Sequence, residues 1–231
     1  MFAKAREDGT RVGETQPIKD LMKGLWRRNT PRVRYTATWS IDTVLSFYEK
    51  VNIPNEELSW KELTIKVALL LSINLIGRAG DLNKLLADNY SEEDHCLKLL
   101  LKEPLKQQRS GVLAPLTVYV QENVRICPVA ATLTYIYKSR EFRQLQDGKN
   151  RDRLFLSLAG KHANVTSSTV SRWILLGLEK VGIDTSTYKA HSVRSATVSS
   201  LAAKGLFLSR ILKRGKWKSR SVFKKHYLRV L

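Results

Sequence analysis

The stretch from Ser59 to Gly77, "SWKELTIKVALLLSINLIG", constrains the fold more than any other part of this 231-residue chain. Ser59 and Glu62 have the spacing of a helix-capping box, and the residues after them are apolar on nearly every side of a helix. A helix without a polar face has to be surrounded by other elements. The sequence therefore predicts a central, buried helix with a domain built around it.

The neighbouring segments predict more helices and a small sheet. Helical spacing of apolar residues predicts a helix in "SIDTVLSFYEKV", and Pro128 suits the first turn of another in "PVAATLTYIYKSREF". Gly182 and Gly205 are predicted to end two further helices, and Gly215 separates two shorter ones. "CLKLLLK" and "LTVYV" predict an antiparallel strand pair with a long loop, and "LFLS" a third short strand. The expected fold class is mostly α with a small antiparallel β-sheet (α+β).

The first part of the chain differs from the rest. Residues 1–33 are polar, mixed in charge and weakly periodic, which is typical of a linker or of the remnant of an upstream domain. Residues 34–231 are predicted to form one domain.

The charge balance predicts a polyanionic partner. The chain has 40 Lys and Arg against 21 Asp and Glu, a net charge of +19, and Asp184 is its last acidic residue. The basic C-terminal part would repel itself without a counter-charge. Nucleic acid is the first partner to expect and an anionic membrane surface the second.

Other composition features exclude several classes of protein. Cys96 and Cys127 form neither a disulfide framework nor a CxxC pair, and the adjacent His95 has no second pair to complete a zinc site. The longest apolar run is too short to span a bilayer, and the N-terminus has no apolar signal segment. We expect a soluble, intracellular protein without a bound metal. "RRNTPRVR" and "KRGKWKSR" could serve as nuclear-import patches.

Several basic motifs have the residues needed to cut a DNA strand. Such a reaction needs cations that neutralise the phosphate oxygens, a nucleophile, and a proton donor for the departing sugar oxygen. The candidates are Arg78 and Asp81 in "GRAGDL", His191 and Arg194 in "AHSVRSA", Trp217 and Tyr227 in "KWKSRSVFKKHY", and Lys102, Lys106 and Arg109 in the predicted loop.

Each motif also has a purely structural interpretation. The HxxR spacing could be surface charge, Arg78 could be a cation at a helix end, and Asp81 its exposed ion-pair partner. Trp217 could be a packing residue, and Tyr227 shares a helical face with Phe223, as a core anchor would. No single motif decides between these interpretations.

The motifs in their order along the chain resemble the tyrosine recombinase (integrase) superfamily, from about "RYTATWSIDTVLSF" to Tyr227. "TPRVRYTATWSIDTVL", "ICPVAATLTYIY" and "WKSRSVFKKHY" are most similar to recombinases of eukaryotic DIRS-like and Ngaro retrotransposons and of Cryptons. The resemblance implies a tyrosine recombinase catalytic domain that cuts and rejoins double-stranded DNA. It also implies assembly on DNA, no cofactor, and a place in the nucleus of a eukaryote or otherwise in the cytoplasm.

The resemblance implies a role for each candidate residue. Tyr227 would be the nucleophile that forms a 3′-phosphotyrosine, and a lysine in the loop, Lys106 in preference to Lys102, would protonate the leaving oxygen. Arg78 and Arg194 would bind the phosphate, with His191 and Trp217 assisting and Asp81 supporting. Contacts to DNA are expected from Lys102, Arg109, Lys216, Lys218, Lys224 and Lys225.

Two departures from the family pattern keep other functions open. Relatives carry an upstream core-binding domain, which here is absent or reduced to the first 33 residues, and many have a further segment after the tyrosine. A catalytically silent, domesticated or truncated DNA-binding protein is therefore one alternative. A type IB topoisomerase-like enzyme, with similar tyrosine chemistry, is another.

Overall fold

A computed structural model describes residues 11–30, 36–106, 108, 110–144, 151–217 and 220–231, and all of their side chains except those of residues 222, 225 and 226. The chain divides into two compact units, Met1–Thr36 and Ala37–Leu231.

The first unit contains a 3₁₀ turn, Val12–Glu14, and helix α1, Gln16–Arg28. Helix α1 was not predicted from the sequence. A proline lies in its first turn, and Arg27 and Arg28 in its last turn complement the helix dipole. None of its residues is buried, and its exposed large apolar side chains are Leu21, Met22, Leu25 and Trp26.

The second unit is built around helix α3, Trp60–Asn74, as predicted. The predicted capping box starts it: the Ser59 side chain accepts from the Glu62 backbone, and the Glu62 side chain accepts from the Ser59 backbone. Every residue of α3 from Leu63 to Asn74 is buried. Helices α5, Pro128–Gln144, and α6, Ser167–Lys180, pack against it.

A three-stranded antiparallel sheet in the order β1-β2-β3 lies beside the helices. Its strands are β1, Leu85–Glu93; β2, Cys96–Leu101; and β3, Leu116–Tyr119. The predicted pair β2–β3 is confirmed, but the prediction for "LFLS" was wrong. That segment and the residue before it form only isolated bridges, Leu156 with Asn164 and Arg153 with Leu86, and the third strand is β1.

The remaining helices bring the basic C-terminal part onto the end of α3. They are α2, Ile41–Lys50; α4, Ala79–Leu82; α7, Ser192–Ala203; α8, Leu208–Arg214; and α9, Arg220–His226. Ile76, Val198, Ile211 and Phe223 form a small second core, with Trp217 and Tyr227 packed against it. After α9 the chain forms a parallel bridge to Ala37, and Thr38 N donates to Val230 O at 2.7 Å. The mostly α fold with a small antiparallel sheet is as the sequence predicted.

Candidate active site

The segment that links α3 to α4 places Arg78 and Asp81. Ile76 adopts φ +48°, which is strained for a buried, β-branched residue. Arg78 is the N-cap of α4; its backbone N–H donates to Asp81 Oδ2 at 3.1 Å, and its guanidinium lies 3.6 Å from the same oxygen. Asp81 is buried, so the interpretation of it as an exposed ion-pair partner was wrong.

Arg194 lies in the first turn of α7, and it is 3% exposed. Its Nη1 donates to Ile76 O, and its Nη2 donates to Gly215 O at 3.2 Å. The Arg194 guanidinium therefore joins the strained segment before Arg78 to the loop after α8. Both carbonyl acceptors lie where the backbone is left-handed: Ile76 itself has φ +48°, and Lys216, the residue after Gly215, has φ +56°.

Two aromatic rings enclose the guanidinium of Arg194. Its Cζ lies 4.3 Å from the centre of the Trp217 ring and 5.3 Å from that of Tyr227. The two rings meet edge to face at 4.8 Å, and Phe223 contacts Trp217 at 4.9 Å. A Cβ on Gly215 would lie 1.7 Å from the Trp217 ring, so only glycine permits this packing. The Nε1 of Trp217 is buried and has no hydrogen-bond partner among the described residues.

The electrostatics of Arg194 place three other predicted site residues, Arg78, Asp81 and Tyr227, within interaction range of its guanidinium. Burial first, and the positive charge of Arg78 second, lower the pKa of Arg194 to about 10. Tyr227 first, and Asp81 second, oppose this shift. Because a pKa near 10 is well above 7, Arg194 stays positively charged at neutral pH.

A cavity of about 330 Å³, which we call the Arg78–Arg194 cavity, opens beside these groups. Arg78, Asp81 and Arg194 line it together with Arg214 and Lys216. The loop between β2 and β3 forms another side, through Leu105, Gln108, Ser110 and Ala114. Trp217 and Tyr227 are not among its lining residues; they lie behind Arg194.

The two candidate lysines of the loop differ in their surroundings. Lys102 follows β2 directly and is ion-paired with Asp152. Lys106 is exposed, between Leu105 and Gln108 of the cavity wall. No carboxylate partner of Lys106 occurs among the described residues, and the preference for Lys106 over Lys102 stays a prediction.

The remaining predicted site residues that the structure describes are more exposed than Arg194. His191 precedes α7 and is exposed, three positions before Arg194. Lys216 lines the Arg78–Arg194 cavity, and Lys224 is exposed on α9. Arg109, Lys218 and the side chain of Lys225 lie outside the described part of the structure.

Arg214 was missed by the sequence analysis. It lines the cavity, its Nε donates to Asn74 O at 2.9 Å, and its Cζ lies 5.1 Å from the Tyr119 ring. Burial lowers the pKa of Arg214. The only available signal was its position directly before the "GKW" of the predicted Trp217 motif.

No group of three or more His, Cys, Asp or Glu side chains that could hold a metal ion occurs within the described residues. Among the helices of those same residues, none combines the length and apolarity needed to cross a membrane.

The fold is that of the catalytic domain of tyrosine recombinases. The XerH site-specific recombinase bound to palindromic difH substrate aligns with a TM-score of 0.59 at 13% identity, over 83% of this chain and 49% of XerH. The XerA recombinase aligns with a TM-score of 0.58 at 17% identity, over 93% of this chain and 71% of XerA. The chain thus spans about half the length of XerH. No family model and no curated protein matches the sequence.

Proposed function

We propose that this chain is the catalytic domain of a site-specific DNA recombinase that cuts and rejoins DNA through a 3′-phosphotyrosine. One observation supports the proposal most: Arg78 and Arg194 line one cavity, and the guanidinium Cζ of Arg194 lies 5.3 Å from the centre of the Tyr227 ring. Two guanidiniums that line one cavity suit a phosphodiester, because each can bind two non-bridging oxygens.

In the proposed reaction the Tyr227 oxygen attacks phosphorus and the bond from phosphorus to the 5′ oxygen breaks. Lys106 gives its proton to that oxygen, and His191 accepts the proton of the tyrosine hydroxyl. Arg78 and Arg194 stabilise the charge that develops on the phosphoryl oxygens. Attack by a 5′-hydroxyl on the phosphotyrosine reverses these steps and joins two strands. Because these side chains supply the charge stabilisation, we expect the reaction to persist in the presence of a chelator.

Covalent capture on suicide substrates tests the proposal. Nicked duplexes with randomised sequence around the nick let a short 5′-hydroxyl fragment diffuse away, which traps the phosphotyrosine. Protein–DNA adducts that survive denaturation should form with the natural chain and should be absent from Tyr227→Phe. Adducts that form equally with Tyr227→Phe would refute the assignment.

The identity of the proton donor has its own test. Lys106→Ala should lose cleavage of a normal substrate and recover it when sulfur replaces the 5′ oxygen, because a thiolate leaves without a proton. Lys102→Ala is the matched control, since its ammonium is already paired with Asp152. Recovery with Lys102→Ala alone would move the role to Lys102.

The biological setting is a further part of the proposal. The motifs quoted above support an origin in a DIRS-like, Ngaro or Crypton mobile element, with synaptic assembly on DNA and action in the nucleus of a eukaryotic host. Sedimentation with and without the selected DNA measures the assembly, and a fluorescent fusion with the "KRGKWKSR" basic residues replaced measures the localisation.

One observation favours a second function, that of a catalytically silent DNA-binding protein. Neither Trp217 nor Tyr227 lines the Arg78–Arg194 cavity. Tight, salt-dependent DNA binding without an adduct on any substrate would support it. Relaxation of supercoiled plasmid without exchange between sites would instead indicate the topoisomerase-like alternative.

A further inference from the structure

A second cavity, of about 530 Å³, adjoins the Arg78–Arg194 cavity. The two share Leu75, Leu116, Arg214 and Lys216 in their walls, so the two cavities meet at these residues. The volume lies within the range of about 300–1,000 Å³ that is usual for small-molecule sites. We call it the adjoining cavity.

Asn74, at the C-terminal end of α3, fixes the two distinctive groups of the adjoining cavity. Its side chain pairs with the backbone of Tyr119: Tyr119 N donates to Oδ1 at 3.1 Å, and Nδ2 donates to Tyr119 O at 3.2 Å. Its carbonyl accepts from Arg214 Nε at 2.9 Å. The Arg214 guanidinium then lies 5.1 Å from the centre of the Tyr119 ring. One residue of the buried helix therefore positions an exposed aromatic ring beside a half-buried cation.

The wall of the adjoining cavity combines apolar surface with positive charge. Leu75 and Leu206 supply apolar surface, and Tyr119, which is 47% exposed, supplies an aromatic ring. Arg210, Lys213 and Arg214 supply cations, and no carboxylate lies among the described residues of the wall. An aromatic ring among cations is the combination that proteins use to hold single-stranded nucleic acid, with bases stacked on the ring and phosphates on the cations.

We propose that the adjoining cavity binds one unstacked nucleobase of the strand whose phosphodiester occupies the Arg78–Arg194 cavity. The base stacks on Tyr119, and the neighbouring phosphates contact Arg210, Lys213 and Lys216. This inference rests on the proposed function for the origin of the strand. The binding that it describes needs no cleavage, so it can be measured separately.

Binding of two labelled oligomers with equal numbers of phosphates tests the proposal: a short oligothymidylate and its abasic counterpart. The natural chain should bind the oligothymidylate about 5-fold or more tightly, the factor expected for one stacked base. Tyr119→Ala should remove this preference and leave the affinity for the abasic oligomer unchanged. Tyr119→Phe should keep it. Fluorescence anisotropy at low salt measures the affinities.

Tyr137→Ala is the matched control. Tyr137 is also an exposed tyrosine, with Arg140 at 5.3 Å from its ring, but it lies on α5 and lines neither cavity. Its replacement should leave both affinities unchanged. Equal binding of the two oligomers by the natural chain, or an equal loss for both in Tyr119→Ala, would overturn the proposal.

Two further measurements separate the possible failures. A 2-aminopurine base in the oligomer should be quenched by the natural chain and not by Tyr119→Ala, which reports stacking directly. Tyr227→Phe should retain the preference for the oligothymidylate. If adducts never form but the preference for the oligothymidylate is present, the proposed function is refuted and base binding in the adjoining cavity is supported. If adducts form but the preference is absent, only base binding in the adjoining cavity is refuted.

Discussion

Replacement of Trp217 by phenylalanine separates the two roles that this residue could have. The indole ring packs against Arg194, Phe223 and Tyr227, at centre distances of 4.3, 4.9 and 4.8 Å. Its buried Nε1 has no partner among the described residues, so an acceptor that reaches it gains a hydrogen bond without breaking one. Phenylalanine keeps an aromatic ring and removes the donor.

The stability of Trp217→Phe should be close to that of the natural chain. A buried, unsatisfied donor destabilises the fold by about 1–3 kcal/mol, which the change relieves. The smaller ring loses about 1–2 kcal/mol of apolar burial, so the two effects nearly cancel. Trp217→Ala, which removes the packing as well, should lower the free energy of unfolding by about 3–5 kcal/mol. Urea unfolding measures both values.

The effect of Trp217→Phe on adduct formation should be much larger. Loss of one hydrogen-bond donor to a transition-state oxyanion typically lowers the rate by about 10²–10³-fold. Trp217→His restores an N–H donor and should recover part of that rate. The rate of covalent capture on the selected suicide substrate is the measurement. If Trp217→Phe forms adducts at the natural rate, Trp217 is a packing residue and the donor role is refuted.

Three other substitutions test the surroundings of the site. Burial lowers the pKa of Lys66 to about 8, whereas the same lysine in the unfolded chain has its ordinary, higher pKa. Below pH 8 the charged ammonium therefore destabilises the folded state. This destabilisation is lost as the pH rises from 8 towards the pKa of the unfolded chain. Relative to Lys66→Met, the natural chain should therefore gain up to about 3 kcal/mol of stability between pH 8 and pH 10 in urea unfolding, and parallel pH profiles would contradict this. The free energy of unfolding of Lys216→Gly should be about 1 kcal/mol higher than that of Lys216→Ala, because glycine accepts φ +56° without strain. Both variants should weaken DNA binding equally. A glycine variant less stable than the alanine variant would exclude strain at this position. Gly177→Ala places a Cβ 3.0 Å from Leu69 Cδ2 on α3 and should lower the melting temperature, whereas Gly24→Ala, in open space on α1, should not.

The sequence predicted the helices and strands whose own residue types reflect whether they are buried. Helix α3 is apolar because it is surrounded, and Ser59 is spaced for its cap, so both features are visible in the sequence. Strand β1 was missed because most of its residues after Ala87 are exposed. Backbone pairing with β2 holds this strand in place, and the register of that pairing shifts between Leu85 and Tyr90. An exposed segment of this kind lacks the apolar alternation that predicts a strand.

The mistaken strand at "LFLS" shows the opposite error. Leu154, Phe155 and Leu156 are buried, as a strand in a core would be. Their backbone is satisfied differently: Arg143 Nη2 donates to Leu154 O at 2.8 Å, and Tyr135 Oη accepts from Leu156 N at 3.1 Å. A short apolar run predicts burial, but it does not predict which groups take the backbone hydrogen bonds.

The site was predictable as a set of residues but not as an arrangement. The motifs around Arg78, Arg194 and Tyr227 name the residues, and the structure brings Arg78 and Tyr227 within interaction range of Arg194. The contribution of Arg214 depends on Asn74 O and the Tyr119 ring, which are distant in sequence. Spacing along the chain carries no information on such contacts.

The surroundings of Arg194 argue that the site is built for an anion. The described groups that contact its guanidinium are two carbonyls and two aromatic faces, while Asp81 and Arg78 act from further away. A buried cation with a purely structural role is usually paired with a carboxylate, or can be replaced by an apolar side chain without loss. Arg194 instead keeps its charge with a pKa of about 10 beside a second guanidinium that lowers that pKa. A phosphate between Arg78 and Arg194 would attract both guanidiniums and so offset the repulsion between them. DNA should therefore raise the melting temperature of the natural chain more than that of Arg194→Met. An equal increase for both would show that Arg194 is structural only.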